Sequence, residues 1–355
     1  MKKNMSDKNF EPLKKAFLKQ SWLWEESEEL FESIDVKNKE NMWLYNYRDK
    51  ILVSRTHPVL VKCRGMVVST EGQILNYPFD RFFNDWEKEC AAIDWDSAEI
   101  QEKLDGSLVC VFWSGKDWEI TTRGSFYPYE NAEIDYAEEF KRLFDGWSSL
   151  NKNTCYMFEL ISKKNRIVTW YDEEKVYLLG ARDLKTNLEF DKFIDWELVM
   201  KLWVNVPKKF SATNFEECKK LYSNLKHDEE GFVVVDKNFN RAKVKQESYL
   251  KLSKIINLKE QDLFEYVLGK TELDIEYLEK LPEVRKEIEL IKIFWGNAKE
   301  KVIDTFNEIK KLPSRKEFAE QAKKYNYKGA LFHLLDGGKL EDLWHLQIED
   351  VREWL

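Results

Sequence analysis

Two kinds of hydrophobic pattern divide this chain. From about residue 42 to residue 254, short apolar and aromatic runs alternate with turn signals. The runs are MWLYNY, ILVS, VLVKC, GMVVS, SLVCVFW, WEITT, CYMFELI, RIVTWY, KVYLLGA and GFVVV, and Glu71-Gly72, Asp105-Gly106, Ser114-Gly115 and Lys237-Asn238 are among the breaks. Runs of this length and composition predict strands in antiparallel sheets, with helices near 131–145, 190–203 and 214–225. Before this region, residues 11–34 carry Leu13, Phe17, Trp22, Trp24, Leu30 and Phe31 among charges, which predicts one or two amphipathic helices. After residue 255 the strand signals stop. The segment opened by Pro282 places Val284, Ile288, Ile291, Phe294, Trp295, Val302, Ile303, Phe306 and Ile309 mostly three, four and seven apart, the period of one long helix.

Composition narrows the class. With 43% apolar residues and 14 Trp, 15 Tyr and 22 Phe among 355, the chain has enough burial to fold, and its length suits two cores better than one. The first twenty residues lack a secretory pattern, and no run reaches the roughly 18 apolar residues of a membrane span. A cytoplasmic protein with no membrane partner is expected. Its five cysteines are scattered without Cys-x-x-Cys spacing, so reduced thiols are expected. A formal net charge of −8 argues against a protein that coats nucleic acid through counterion release, while leaving room for a local basic channel. One basic cluster, Lys237, Arg241, Lys243, Lys245, Lys251 and Lys254, reads by itself as a solvated face.

The candidate chemistry starts at Lys103, in QEKLDGSLVC. Asp105-Gly106 between apolar runs is also a common hairpin turn, so the lysine alone decides nothing. A nucleophilic lysine needs desolvation or neighbouring cations to populate its neutral amine. Lys243-Val-Lys245 supplies two cations on one strand face, which repel unless an anion such as a polyphosphate lies between them. Glu159 interrupts the apolar run YMFELI and needs a partner there.

In this order, Lys103-x-Asp-Gly, Arg123-Gly-Ser, Glu159, Glu230-Gly231 and Lys243-x-Lys245 resemble the covalent nucleotidyltransferase superfamily of polynucleotide ligases and capping enzymes. With CRGMVV, RFFN, KLDGSLV, FELISKKNRIV and EGFVVV…KVKQESYLKL, the chain more closely resembles the ATP-dependent RNA ligases of the bacteriophage tRNA-repair type, the RNA ligase 1 family, over residues 43 to 254. The resemblance implies an antiparallel-sheet nucleotidyltransferase (ATP-grasp-like ligase) domain over 1–254, with a helical N-terminal segment; with the helical pattern that follows it, an α+β fold is expected, its all-helical C-terminal domain over 255–355 a candidate for RNA specificity.

It also implies ATP and Mg²⁺ as cofactors, and as partner an RNA with 5′-phosphate and 3′-hydroxyl ends, with nicked tRNA as the candidate; it implies no protein partner. Lys103 would carry AMP covalently. Nucleotide contacts would come from Tyr45, Arg64, Arg81, Asp105, Gly106, Arg123, Glu159, Glu230, Gly231, Lys243 and Lys245, with Phe83, Arg166 and Tyr249 as further candidates. Tyr45 and Arg81 would line the triphosphate, and Glu159 would recognise the ribose. Lys243 and Lys245 would grip the α-phosphate and lower the Lys103 pKa. Glu230 would hold metal, joined by Glu272, although a helix-entry acid is the plainer reading of Glu272. Two other readings stay open: a nucleotidyltransferase with another nucleotide or acceptor, and a non-catalytic RNA-binding relative.

Overall fold

The structure, a computed structural model, describes residues 6–126, 134–190, 204–343 and 345–355. The helix expected over 190–203 falls almost wholly outside them. The chain forms two compact units, Met1–Tyr249 and Leu250–Leu355.

The first unit is built on three sheets. In the first, β1 (Ile34–Lys39), β2 (Met42–Tyr47), β3 (Arg64–Ser69) and β4 (Ile74–Asn76) form an antiparallel meander. The second, in the order β11 (Lys209–Phe210), β6 (Glu99–Glu102), β12 (Gly231–Val235), β13 (Arg241–Lys245) and β5 (Phe83–Asn84), is antiparallel except for the parallel pair of β13 and β5. The third, in the order β10 (Lys175–Asp183), β9 (Thr154–Ile161), β7 (Ser107–Trp113) and β8 (Trp118–Thr122), is antiparallel throughout.

Period-two alternation gives each sheet two different faces. On β7, Val109 and Val111 pack against the helix Tyr136–Leu143 side, while Cys110 and Phe112 face Met42, Leu44 and Val67 of the first sheet. On β9, Tyr156, Phe158 and Leu160 join the first group, and Cys155 and Met157 the second. On β12, Phe232 and Val234 pack outward with Cys218 of the helix Phe215–Lys220. That leaves Val233, and Lys243 and Lys245 of β13, on the opposite face.

Most of the apolar runs are strands, but three are not. VLVKC belongs to the helix Pro58–Lys62: Pro58 fits the first turn, where its missing N–H costs nothing, and the His57 side chain accepts the Val59 N–H. ILVS and RIVTWY contain no strand. The N-terminal segment gives the helices Ser6–Lys19 and Glu28–Glu32, which cover the outer face of the first sheet through Leu13, Phe17 and Leu30.

Among the described residues, the second unit holds helices and no strand. Its long helix, Pro282–Ile309, buries Val284, Ile288, Ile291, Trp295, Ala298, Val302 and Ile309. Among the described residues, no helix is long and apolar enough to cross a membrane.

Candidate active site

The hairpin reading of Asp105-Gly106 fails on topology. β6 and β7, on either side of it, belong to different sheets, so the segment carries the chain from one sheet to the other. Lys103 sits at that crossing. Its N–H donates to the Gly231 carbonyl at 2.9 Å, which sets the start of β12 beside it. A cavity of about 100 Å³ opens between the two sheets, lined by Gln101, Glu102, Lys103, Val233 and Lys243 from one and Leu108, Glu159 and Leu179 from the other.

Two glycines permit this approach. A Cβ on Gly106 would lie 2.4 Å from the Leu160 carbonyl oxygen, and one on Gly231, where φ is +128°, would lie 2.1 Å from the Val244 carbonyl oxygen. Gly106 also donates its N–H to the Glu159 carboxylate at 3.1 Å.

The centre of the site is an ion triplet. Glu230, 4% exposed, accepts from Lys103 Nζ on one oxygen at 2.6 Å and pairs with Lys245 Nζ through the other at 2.7 Å. Burial alone would lower Lys103, but the Glu230 and Glu159 carboxylates overcome it and hold the ammonium above the ordinary lysine range. Burial likewise works to raise Glu230, and the two ammoniums hold it below the usual carboxylate range. The expectation that neighbouring lysines depress Lys103 in the empty site is therefore corrected: Glu230 lies closer and outweighs them. The depressed lysine is Lys243, which burial, then Arg64, Lys103 and Lys245, push down to about 7. Burial raises the Glu159 carboxyl to about 7.

A second cationic group lies on three arginines. Arg123 donates to the Tyr47 hydroxyl at 3.2 Å, and Arg81 lies over the Tyr47 ring at 4.2 Å. Gly65, next to Arg64, sits against the Arg123 backbone, and Arg64 lies over Phe82 at 5.4 Å. One guanidinium nitrogen each of Arg64 and Arg81 is buried without a hydrogen-bond partner. Buried donors left open are costly, and three like charges repel, so this group suits a bound polyanion.

The structure does not bring every expected residue to the site. Tyr45 is fully buried beside Phe10, its hydroxyl donating to the Asn9 carbonyl at 2.7 Å. Tyr47, two residues on at the strand end, stands with the arginines instead. Asp105 is a buried anchor: it accepts the N–H groups of Val168 and Thr169, both at 2.8 Å, and the Tyr249 hydroxyl at 2.7 Å. Tyr249 thus positions the turn after Lys103. Phe83 is buried under Arg55 and Arg81, and its neighbour Phe82 lines the cavity. Arg166 lies over Trp170 and is not among the cavity-lining residues. Glu272 belongs to the second unit, where it is exposed, and the constellation described here is built wholly from the first. Among the described residues no cluster of three His, Cys, Asp or Glu is arranged to hold a metal.

Sequence reasoning passed over Tyr47, Phe82, Leu179 and Val233, and read Arg241, which lines the cavity, as part of a solvated face. Tyr47 had a signal, since it shares a strand face with Tyr45, but which of the two reaches the strand end is set by β2.

A family model for RNA ligases matches residues 62–252, which contain Lys103, Glu159, Glu230, Lys243 and Lys245. The chain belongs to this family, the RNA ligase 1 type known from phage. It is 30% identical over 259 residues to a putative bifunctional polynucleotide kinase/RNA ligase of Autographa californica nuclear polyhedrosis virus, covering 62% of this chain and 35% of that protein. The match thus spans about a third of that longer relative. An RNA ligase of Rhodothermus phage RM378 is 22% identical, with 86% of this chain and 87% of the phage protein covered. Among solved structures, a putative ATP-dependent DNA ligase from Aquifex aeolicus aligns with 92% of this chain and 99% of its own, at 14% identity and a TM-score of 0.46. A likeness that low does not bear on the acceptor.

Proposed function

We propose that this member of the RNA ligase family joins 5′-phosphate and 3′-hydroxyl RNA ends at the expense of ATP, with Lys103 as covalent carrier of AMP and the helical unit selecting the RNA. The observation that carries the reading is Lys103 at the crossing between two sheets, tethered to Glu230 together with Lys245 and close to the half-buried, depressed Lys243. Adenine fits between Leu179 and Val233, and the ribose beside Glu159. The α-phosphate falls to Lys243 and Lys245, and the remaining phosphates to Arg64, Arg81 and Arg123.

In the first step the Lys103 nitrogen forms a bond to the α-phosphorus as the bond to the bridging oxygen breaks, and pyrophosphate leaves with the electron pair. The ammonium sheds one proton to solvent before attack, as the Glu230 carboxylate lets go of it, and a second to solvent after the adduct forms. The RNA 5′-phosphate then displaces Lys103 from the adenylate. Finally the 3′-hydroxyl oxygen attacks the RNA phosphorus, loses its proton to solvent, and AMP departs. Alignment and charge neutralisation supply most of the acceleration in such transfers.

A divalent cation fits this donor set only with substrate present. Magnesium pairs one or two carboxylates with substrate phosphate oxygens, and Glu230 is the carboxylate that would hold it once its lysines turn to the nucleotide. Such an ion would neutralise charge on the phosphates.

The test is covalent labelling. With α-labelled ATP and Mg²⁺ the protein should gain an acid-labile AMP label, and Lys103→Ala should lose it. A 5′-phosphorylated, 3′-hydroxyl RNA, including a nicked tRNA, should then be circularised or joined. No label on folded protein, with GTP also tried, would reject the adenylate; label without joined RNA would point to another acceptor.

A further inference from the structure

A second cavity, about 550 Å³, adjoins the nucleotide pocket in the first unit, and Phe82 and Arg241 line both. Its volume lies within the roughly 300–1,000 Å³ that small ligands occupy. Apart from Arg81 on its wall, nothing in the adenylation step uses this space, although its walls are expensively built. Arg182 and Arg241 both pair with Glu189, and all three side chains are nearly buried. This triplet ties the loop after β10 to the turn between β12 and β13.

Several buried polar atoms on these walls lack partners: Nη1 of Arg81, Nε of Arg182, Oδ1 of Asp80 and Oδ1 of Asn187. Arg182 itself is only 7% exposed. Two open donors on cations and two open acceptors match a ligand that offers phosphate oxygens together with hydroxyl or base N–H groups.

The second observation is conformational. Phe239 holds φ at +61° and lines the cavity. A bulky residue in that region is an outlier, and glycine or asparagine is the usual choice at such a turn position. The turn is fixed around it, since the buried Asp236 carboxylate accepts the N–H groups of Asn238 at 2.8 Å and Asn240 at 3.0 Å. Strain that the surroundings enforce is retained at sites of function. What the strain secures here is a half-buried aromatic ring on the wall of a cationic cavity, the arrangement on which single-stranded nucleic acid stacks.

We propose that this cavity receives the terminal nucleotides of a single-stranded RNA end and presents them to the adenylate at Lys103. Phe239 is the stacking platform, Arg182 is the phosphate donor, joined by Arg81 once pyrophosphate has left it, and Asp80 and Asn187 accept from ribose or base. This rests on the ligase reading above, and extends it to where the RNA lies.

Two variants test it. Phe239→Gly removes the ring and relieves the backbone, so thermal stability should hold or rise. Leu188→Glu places a negative charge on the cavity rim, at a position already 67% exposed. Both should leave the covalent AMP label within about twofold of wild type and cut RNA joining about tenfold or more, the size of one lost base stack. Joining at the wild-type rate in both variants would overturn the site, and so would equal loss of label and joining. Photocrosslinking needs no catalysis and separates this inference from the ligase reading. RNA carrying 4-thiouridine at the 3′-terminal or the 5′-terminal nucleotide should crosslink within residues 186–189 or 236–240, the productive arm naming the strand. Crosslinks from neither arm would overturn the inference even in a protein that takes the AMP label.

Discussion

Replacing Glu230 by glutamine should make Lys103 a more reactive amine and the protein a poorer adenylyltransferase. Glutamine keeps the volume and removes the charge that Lys103 meets at 2.6 Å and Lys245 at 2.7 Å. A hydrogen bond to a charged group is worth about 1.5–3 kcal/mol, and tenfold in an equilibrium about 1.4 kcal/mol, so losing the charged partner should bring Lys103 down. Burial, Lys243 and Lys245, no longer opposed by that carboxylate, act in the same direction. At neutral pH the neutral fraction of Lys103 then rises about 10- to 100-fold. Competitive amine labelling of the nucleotide-free protein across pH, read at the Lys103 peptide by mass spectrometry, measures this directly. The labelling midpoint should move to lower pH while formation of the AMP adduct slows. A midpoint that stays put or rises would refute the claim that Glu230 masks the nucleophile. Stability follows from the same shifts. The raised Lys103 contributes stability below the ordinary lysine pKa that is lost as pH climbs through its folded value. The depressed Glu230 contributes stability above the ordinary carboxylate range that is lost as pH falls through its own. The neutral plateau between these limits should therefore drop in Glu230→Gln, by at most about 3–5 kcal/mol, the usual loss when one partner of a buried pair is removed.

Lys243, held near 7 in the empty site, should regain its proton when an anion binds, so AMP or pyrophosphate binding at about pH 8 takes up nearly one proton and weakens as pH rises above 7. Calorimetry in two buffers of different ionisation enthalpy reads this; Lys243→Arg should remove it, and equal uptake in that variant would disprove the assignment. Tyr45→Phe should cost about 0.5–1.5 kcal/mol of stability by removing the bond to the Asn9 carbonyl, with adenylation unchanged. Tyr47→Phe should do the reverse, raising the KM for ATP as Arg123 loses its contact, with the melting temperature held; a Tyr45 variant defective in adenylation would return that residue to the site.

Period-two alternation is local, and it determined a good deal here. It set Lys243 and Lys245 on one face of β13, with Val244 in the core, and set the two faces of β7 and β9. The single glycines at 106 and 231, each beside a charged motif residue, were legible in the same way, and so was the helix opened by Pro282. The motif order from Arg64 to Lys245 carries the family without any tertiary information. What the sequence could not decide was set by distances between segments far apart in the chain. Tyr45 and Tyr47 have the same side chain and the same strand face, and only the packing of Phe10 and Asn9 on one, and of Arg81 and Arg123 on the other, gives them different work. Asp105 stands in a motif beside the nucleophile, yet it anchors residues 168, 169 and 249, which the fold alone brings to it. The sign of the Lys103 shift was likewise beyond reach of the sequence. It depends on whether a carboxylate 127 positions away or a neighbouring cation stands closer, and electrostatic energy falls with separation in space and takes no account of separation along the chain.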